Sequence, residues 1–295
     1  MYSQITANKR NSFLLISLFI AIFVILGTVV GKLSGNFETW IFGAVAVSLA
    51  MALFSYFAGD KVALAAARAK EIKKHDNKYL WNLVENLAIA SGAPMPKIYI
   101  IPDNSINAFA TGRNPQNSSI AVTAGALSIL GKPELEGVVA HELSHIKNYD
   151  IRLMMLVIIL VGSIALLSNW FLRMQFFRGR GNRDEGNAGP ALFILGMLLA
   201  VLSPIIAQII QLAVSRQREF LADASGAMLT RYPEGLAMAL EKIAGSEPMK
   251  SANNATAHLY ISDPFGRKKT SWLHKLFMTH PPIEERVSLL RQMTI

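Results

Sequence analysis

Two histidines four residues apart, with a glutamate beside the first, form the part of this chain best suited to catalysis. The segment His141–His145 reads HELSH, and on a helix both imidazoles project from one face and can bind one zinc ion. Zinc held in this way lowers the pKa of a bound water from about 15.7 toward roughly 7. Glu142 is placed to accept the proton of that water and to pass it to a leaving amine. The segment therefore predicts hydrolysis of a peptide bond.

The residues before this pair favour a helix. Pro133 stands at the expected first helical position, and Glu134 and Glu136 supply negative charge in the first turn. The alternative is that H-E-x-x-H occurs by chance, since a five-residue pattern is only moderately specific. The chain contains six histidines, and two of them fall in this pattern.

Four charge-free apolar runs dominate the rest of the sequence. The chain has 295 residues, of which 52% are hydrophobic, and its mean hydropathy is +0.34. The runs are Asn11–Gly31, Thr39–Gly59, Leu153–Leu172 and Gly186–Ser215, and each can cross about 30 Å of hydrocarbon as a helix. The alternatives are a signal peptide for the first run and buried core helices for the last two. The absence of charge within the runs argues against a transporter. We predict an α-helical integral membrane protein with four apolar spans.

The basic residues predict cytoplasmic polar segments. Lys9 and Arg10 precede the first run, and five basic residues between 61 and 74 follow the second, against Lys32 alone between them. The loop Arg173–Arg183 carries four arginines, and it would face away from the cytoplasm if the third and fourth runs both cross the membrane fully. This conflicts with the predicted orientation, so the alternative is that these two runs form a less regular hairpin. The net charge of +9 fits an anionic membrane surface, and no nucleic-acid-binding motif accompanies it.

The polar residues fall into two segments that are each small for an enzyme domain, so we expect them to pack into one. The sequence is thus divided into an N-terminal transmembrane hairpin (1–59), a first catalytic part (60–150), a second hairpin (151–215) and a second catalytic part (216–295). The expected elements are an amphipathic helix over 61–91, strands at 97–101, 106–111 and 120–123, and helices over 216–231, 233–243 and after Pro282. This combination predicts an α+β zincin-like catalytic domain.

A catalytic zinc site usually has three protein ligands, so one ligand must come from another part of the chain. His145 lies just before the third apolar run and Glu219 just after the fourth, so a membrane hairpin would return Glu219 to the same face. Asp223, four residues later, could hydrogen-bond a ligand imidazole. The alternative for Glu219 is a solvated acid paired with Arg216 and Arg218. With no cysteine in the chain, disulfides and a thiolate zinc site are excluded.

Taken in order, these motifs resemble the HtpX family of bacterial heat-shock membrane proteases, gluzincins related to the CAAX prenyl endopeptidases. The segments that carry the resemblance are NAFATG at 107–112, HELSH at 141–145, REFLAD at 218–223 and THPP at 279–282. The resemblance implies one Zn²⁺ per chain on His141, His145 and Glu219, with Glu142 as catalytic base and acid.

The resemblance also implies roles that spacing leaves open. Asn107, Ala108 and Phe109 would line the cleft on an edge strand, where a substrate chain could add as a further strand. From spacing alone, His280 is either a surface or capping histidine or an oxyanion donor. The resemblance favours a place near the active site for His280 and Arg286, with His280 donating to the developing oxyanion.

The expected function is that of a zinc endopeptidase in the bacterial inner membrane, multi-pass, with its catalytic domain in the cytoplasm. Its expected partners are misfolded or damaged membrane proteins and the lipid bilayer, with no nucleic acid, and its oligomeric state is left open. One alternative is a CAAX-type prenyl protease. Another is a non-catalytic membrane scaffold with a structural zinc site, which would have no need of Glu142.

Overall fold

Two long apolar helices begin the chain. The computed structural model describes residues 2–157, 197, 216–249, 257–264 and 281–294. Helix α1 (Tyr2–Ser34) and helix α2 (Phe37–Ala66) pack against each other, and the chain turns between them at Gly35, whose φ of +74° favours glycine. The segments Ile5–Lys32 and Phe37–Ala66 are long and apolar enough to cross a membrane. Large hydrophobic side chains such as Phe13 and Phe42 are exposed on them, as expected of a surface that faces lipid.

The third and fourth apolar runs lie almost entirely outside the described residues. Of the third run, residues 153–157 are described; they are helical and buried, and Leu156 packs with Phe19 and Phe23 of α1. Of the fourth run, only Met197 is described. The four-span arrangement therefore stays a prediction.

A four-stranded sheet follows the hairpin. Its strands are β1 (Lys70–Ile72), β2 (Lys97–Ile101), β3 (Ala108–Asn114) and β4 (Asn117–Thr123), in the order β1-β2-β4-β3. Strands β2 and β4 are parallel, and the other neighbours are antiparallel. The β3–β4 hairpin extends beyond the ends predicted for its strands, at 111 and 120, because Asn114 and Asn117 already pair. Strand β3 lies at the end of the described sheet.

The prediction of one helix over 61–91 is wrong. Helix α2 ends at Ala66, and Arg68 adopts a φ of 54°, which reverses the chain so that β1 pairs with β2. A new helix, α3 (Lys78–Ser91), begins after Asn77, whose side chain accepts a hydrogen bond from the N–H of Leu80. The helical periodicity belongs to α2 and α3, and the three-residue strand between them is too short to show an alternation of its own.

The remaining helices surround one central helix. After α4 (Ala124–Ile129), helix α5 (Lys132–Lys147) begins directly after Gly131, whose N–H donates to the Glu134 carboxylate at 2.6 Å. Twelve of the sixteen residues of α5 are buried, by β3, α3, α6 (Arg216–Thr230) and α7 (Pro233–Ala244). A short 3₁₀ turn (Ala257–Leu259) and helix α8 (Ile283–Arg291) complete the described chain. Helix α5 carries the predicted histidine pair, so the pair lies in the core.

Helix α6 approaches α5 closely at Gly226. A Cβ atom at this position would lie 3.0 Å from the backbone nitrogen of His141 and 3.2 Å from its Cα. Only glycine lets the two backbones come this near without a shift. The contact fixes α6, with Glu219 on it, beside the histidines of α5.

Candidate active site

Three buried side chains converge between α5 and α6. His141 Nε2 and His145 Nε2 lie 3.1 Å apart, and the Glu219 carboxylate is 3.8 Å from the first and 3.5 Å from the second. One ligand atom from each of the three residues lies within 4.8 Å of the others. The three are no more than 4% exposed. This set could hold one metal ion.

The outer nitrogen of each histidine contacts a carboxylate. His141 Nδ1 lies 2.9 Å from Asp223 Oδ1, and His145 Nδ1 lies 3.0 Å from Asp150 Oδ2. These contacts place the proton of each ring on Nδ1, which leaves Nε2 free to bind a metal. The sequence predicted a supporting role for Asp223, whereas Asp150 was not predicted.

Arg286 pairs with Asp223 and also lies 3.6 Å from the Glu219 carboxylate. Its Nε and one terminal nitrogen each donate to the Asp223 carboxylate at 2.7 Å, and its other terminal nitrogen donates to the carbonyl of Ile261 at 2.8 Å. Burial favours the neutral form of Asp223, but the guanidinium outweighs it and lowers the pKa of Asp223 to about 2. The Arg286 side chain, itself fully buried, therefore keeps a charged carboxylate beside His141, and one of its terminal nitrogens lies 3.5 Å from His141 Nδ1.

Glu142 lies between α5 and strand β3. Its carboxylate is 1% exposed and accepts a hydrogen bond from the backbone N–H of Ala110. Burial, helped by the charge of Glu219, raises the pKa of Glu142 to about 7, although the nearby His145 opposes this shift. A carboxyl group with a pKa near neutrality can both accept and return a proton.

Asn107 directly precedes strand β3, Ala108 and Phe109 begin it, and all three are buried. Asn107 Nδ2 donates to the carbonyl of Ser262 at 3.3 Å, and the ring of Phe109 packs edge-on against Tyr260, with centroids 5.2 Å apart. The Ala108 carbonyl accepts from the N–H of Ile261 at 3.0 Å. The chain around Ile261 thus covers the outer edge of β3 at Ala108. Binding of a substrate strand along residues 107–109 stays a prediction.

The described structure adds Asp150, Asn8 and Arg218 to the surroundings of the predicted site. Asn8 of α1 is 2% exposed, and its Nδ2 atom donates to Asp150 Oδ1 at 2.6 Å and to the carbonyl of Asn148 at 2.8 Å. Arg218 lies 3.8 Å from the same Asp150 oxygen. His280 lies outside the described residues, and its role as oxyanion donor stays a prediction.

Comparison with known proteins assigns the chain to a family. The model of peptidase family M48 matches residues 74–294. The chain belongs to peptidase family M48. This M48 peptidase is 44% identical to the protease HtpX homolog of Tropheryma whipplei (strain Twist) over 99% of this chain and 98% of that one. It is 43% identical to the HtpX homolog of Lactobacillus helveticus over 99% and 100% of the two chains. The predicted resemblance is confirmed.

A solved structure shows a similar fold. The M48 peptidase aligns with the crystal structure of S. mikatae Ste24p at a TM-score of 0.53 and 19% identity. The alignment covers 93% of this chain and 62% of the Ste24p chain. At this identity the likeness speaks for the fold alone.

M48 metallopeptidases use zinc, and the donor set of this M48 peptidase fits that ion. Two imidazole nitrogens and one carboxylate oxygen, all buried, are ligands that zinc accepts in catalytic sites. The carboxylates at both outer nitrogens are the usual support for zinc-binding histidines. Three protein ligands leave a coordination position for a water or a substrate carbonyl.

Proposed function

We propose that this membrane zinc endopeptidase hydrolyses peptide bonds in misfolded or damaged membrane proteins. The observation that carries the proposal is the convergence of His141, His145 and Glu219 beside the Glu142 carboxylate, at the edge of strand β3. The contact between α1 and Asp150 supports a membrane substrate, because it joins the apolar hairpin directly to this site. His141, His145 and Glu219 are proposed to bind the zinc ion.

The protein residues then share the chemistry. When bound, zinc supplies a Lewis acid that activates water near neutral pH. Glu142 accepts a proton from the attacking water and transfers it to the nitrogen of the scissile bond. The Ala110 N–H holds the Glu142 carboxylate in place, while Asp150 and Asp223 keep the imidazoles oriented. His280 is proposed to donate a hydrogen bond to the oxyanion, and Arg286 to hold Asp223 charged.

The backbone of β3 supports binding of an extended substrate. Side chains of Ala108 and Ala110 pack in the same cluster as α5, and alternation along the strand directs their backbone polar groups away from β4. The Ala108 carbonyl already accepts from Ile261 and the Ala110 N–H already donates to Glu142, so the carbonyl of Ala110 is the group proposed to pair with a substrate. A substrate strand that adds beside Ala110 would place its own backbone next to Glu142. Backbone pairing of this kind carries little sequence information, which suits removal of many different damaged proteins.

The proposal includes the location of the enzyme. The basic residues flanking the apolar hairpin favour a multi-pass protein of the bacterial inner membrane with its catalytic domain, built from 60–150 and 216–295, in the cytoplasm. The two hairpins, 1–59 and 151–215, would supply four spans. Misfolded proteins of the same membrane would then reach the site from the bilayer.

Cleavage of an unfolded membrane protein by the purified chain with zinc tests the function. Glu142→Gln should lower the rate by about 10²–10⁴-fold and retain zinc, whereas His145→Ala should lose both zinc and activity. Glu85→Gln, which changes an exposed acid paired with Lys74, is the matched control and should resemble the parent chain. Equal zinc loss in the Glu142 and His145 variants would contradict the division of roles. Cleavage of a prenylated peptide alone would favour the CAAX-type alternative.

A further inference from the structure

A pocket at the end of the apolar part of α2 contains two arginines. The residues that define this α2 pocket are Ser55, Tyr56, Asp60, Arg113, Arg152 and Met155. Arg113 comes from the end of β3, and Arg152 from the helical residues 150–157. Three separate parts of the chain therefore meet at one small concave site.

Two guanidinium groups and one carboxylate line the α2 pocket. Arg152 Nε donates to the carbonyl of Arg113 at 2.8 Å, and both guanidiniums stand near the ring of Tyr56, at 6.0 Å for Arg113 and 5.7 Å for Arg152. Among the described residues, neither forms a salt bridge to a carboxylate. Asp60 lines the pocket and accepts from the N–H of Lys61 at 2.9 Å, so the pocket has two positive charges and one negative charge. Two like charges at one site favour an anion between them.

Ser55 gives a second and independent indication of a ligand. Its side chain is 1% exposed, and its hydroxyl oxygen has no hydrogen-bond partner among the described residues. A buried serine in an apolar helix ordinarily bonds to a carbonyl of the preceding turn. Ser55 instead lines the α2 pocket with an unused donor. A hydroxyl and two guanidiniums together form a donor set suited to phosphate oxygens.

The position of the pocket indicates where the phosphate comes from. Ser55 and Tyr56 lie within the last turns of the apolar run Thr39–Gly59, and charged residues begin at Asp60. The neighbouring side chains of Leu53, Phe54 and Phe57 are more than half exposed, as lipid-facing groups would be. Aromatic and basic residues at such a boundary are typical of the headgroup level of a membrane.

We propose that the α2 pocket binds the phosphate of a membrane phospholipid. Arg113 and Arg152 would hold the phosphate oxygens, and Ser55 would donate to one of them. The acyl chains would lie along the exposed face of α2 at Leu53 and Phe54. Asp60 limits the net charge of the site and so favours a headgroup with a single phosphate. The proposal does not depend on the peptidase substrate.

Native mass spectrometry of the full chain in a phosphate-free sugar detergent tests the site. Dioleoylphosphatidylglycerol should bind to the chain, whereas dioleoylglycerol, which lacks the phosphate, should not bind. Inorganic phosphate at the same concentration should bind much more weakly than the phospholipid. The variant Arg113→Gln/Arg152→Gln should weaken phospholipid binding about tenfold or more, as expected for the loss of charge-assisted hydrogen bonds. Ser55→Ala should weaken it to a smaller extent.

The matched control is Lys61→Gln, which removes a positive charge at the same boundary but outside the pocket. The single variants Arg113→Gln and Arg152→Gln are compared with this control. If Lys61→Gln weakens phospholipid binding as much as either of them, the attraction is nonspecific and the proposal is overturned. Unchanged phospholipid binding in the double variant, together with lost cleavage of acidic peptides, would assign the arginines to substrate recognition instead. Zinc content and circular dichroism of each variant check folding. If the double variant does not fold, Ser55→Ala and Arg152→Lys are measured in its place. Phospholipid binding that is unchanged in both of these variants would overturn the proposal.

Discussion

The substitution Asp150→Asn tests how the structure holds His145. Asp150 uses both carboxylate oxygens, since Oδ2 lies 3.0 Å from His145 Nδ1 and Oδ1 accepts from Asn8 Nδ2 at 2.6 Å. If His145 binds zinc through Nε2, its Nδ1 carries a proton and must donate. Asparagine has the same shape but a single acceptor oxygen. One of the two donors must then face an NH₂ group.

The size of the effect follows from which donor loses its partner. If His145 does, zinc affinity should fall about 10–100-fold, equivalent to roughly 1.4–2.8 kcal/mol. If Asn8 does, a buried amide donor is left without a partner, and the free energy of unfolding should fall by about 1–3 kcal/mol. The loss of charge also removes the attraction to Arg218, 3.8 Å away, and adds to either effect.

Zinc affinity is measured by competition with a chelator of known affinity, and stability by thermal unfolding of the zinc-free chain in detergent. Asp76→Asn is the matched control, because Asp76 is exposed and its contact to the N–H of Lys73, at 2.7 Å, can be kept by an amide oxygen. Its other carboxylate oxygen lies 3.4 Å from His75 Nε2 at a solvent-exposed position, where an ion pair contributes little. The reasoning is refuted if Asp150→Asn, like the control, leaves both quantities at the parent values.

Three further outcomes are expected. Arg286→Met leaves the Asp223 carboxylate buried without its cation, so unfolding free energy should fall by about 3–5 kcal/mol, and a melting temperature equal to that of the parent chain would contradict this. Gly226→Ala should lower the free energy of unfolding by about 1–3 kcal/mol and weaken zinc binding, because the new Cβ would lie 3.0 Å from the His141 backbone. The control is Gly245→Ala, whose Cβ would have its nearest neighbouring atom at 3.7 Å and which should change neither quantity. Removal of zinc by a chelator should abolish peptide cleavage and lower the melting temperature, and added zinc should restore both; activity that survives complete removal would argue against the metal's role.

Helical periodicity explains which parts of the fold were predictable. The spacing of His141 and His145 fixes their common face once α5 is helical, and proline and acids at its start indicate that helix. The apolar runs predicted α1 and α2 by length alone. Strand β1 was missed because three residues are too few to show a pattern.

Asp150 was missed for a different reason. Helix α5 ends at Lys147, and Tyr149 adopts a φ of 62°, which turns the chain so that Asp150 comes back beside His145. Five residues of separation place the two on different faces of a continuous helix, so the sequence pattern argues against the contact. A left-handed residue other than glycine gives no clear signal in the sequence. The contact of Asn8 with Asp150 spans 142 residues and depends on tertiary packing alone.

The amide of Asn8 links the first hairpin to the support of His145. Asn8 belongs to α1, just before its apolar run, and reaches Asp150 only when the first hairpin is packed against the catalytic part. A chain whose first hairpin is not packed in this way lacks the Asn8 donor that holds Asp150, the carboxylate beside His145. The apolar hairpin is therefore part of the support of the histidine pair as well as a stretch long enough to cross a membrane.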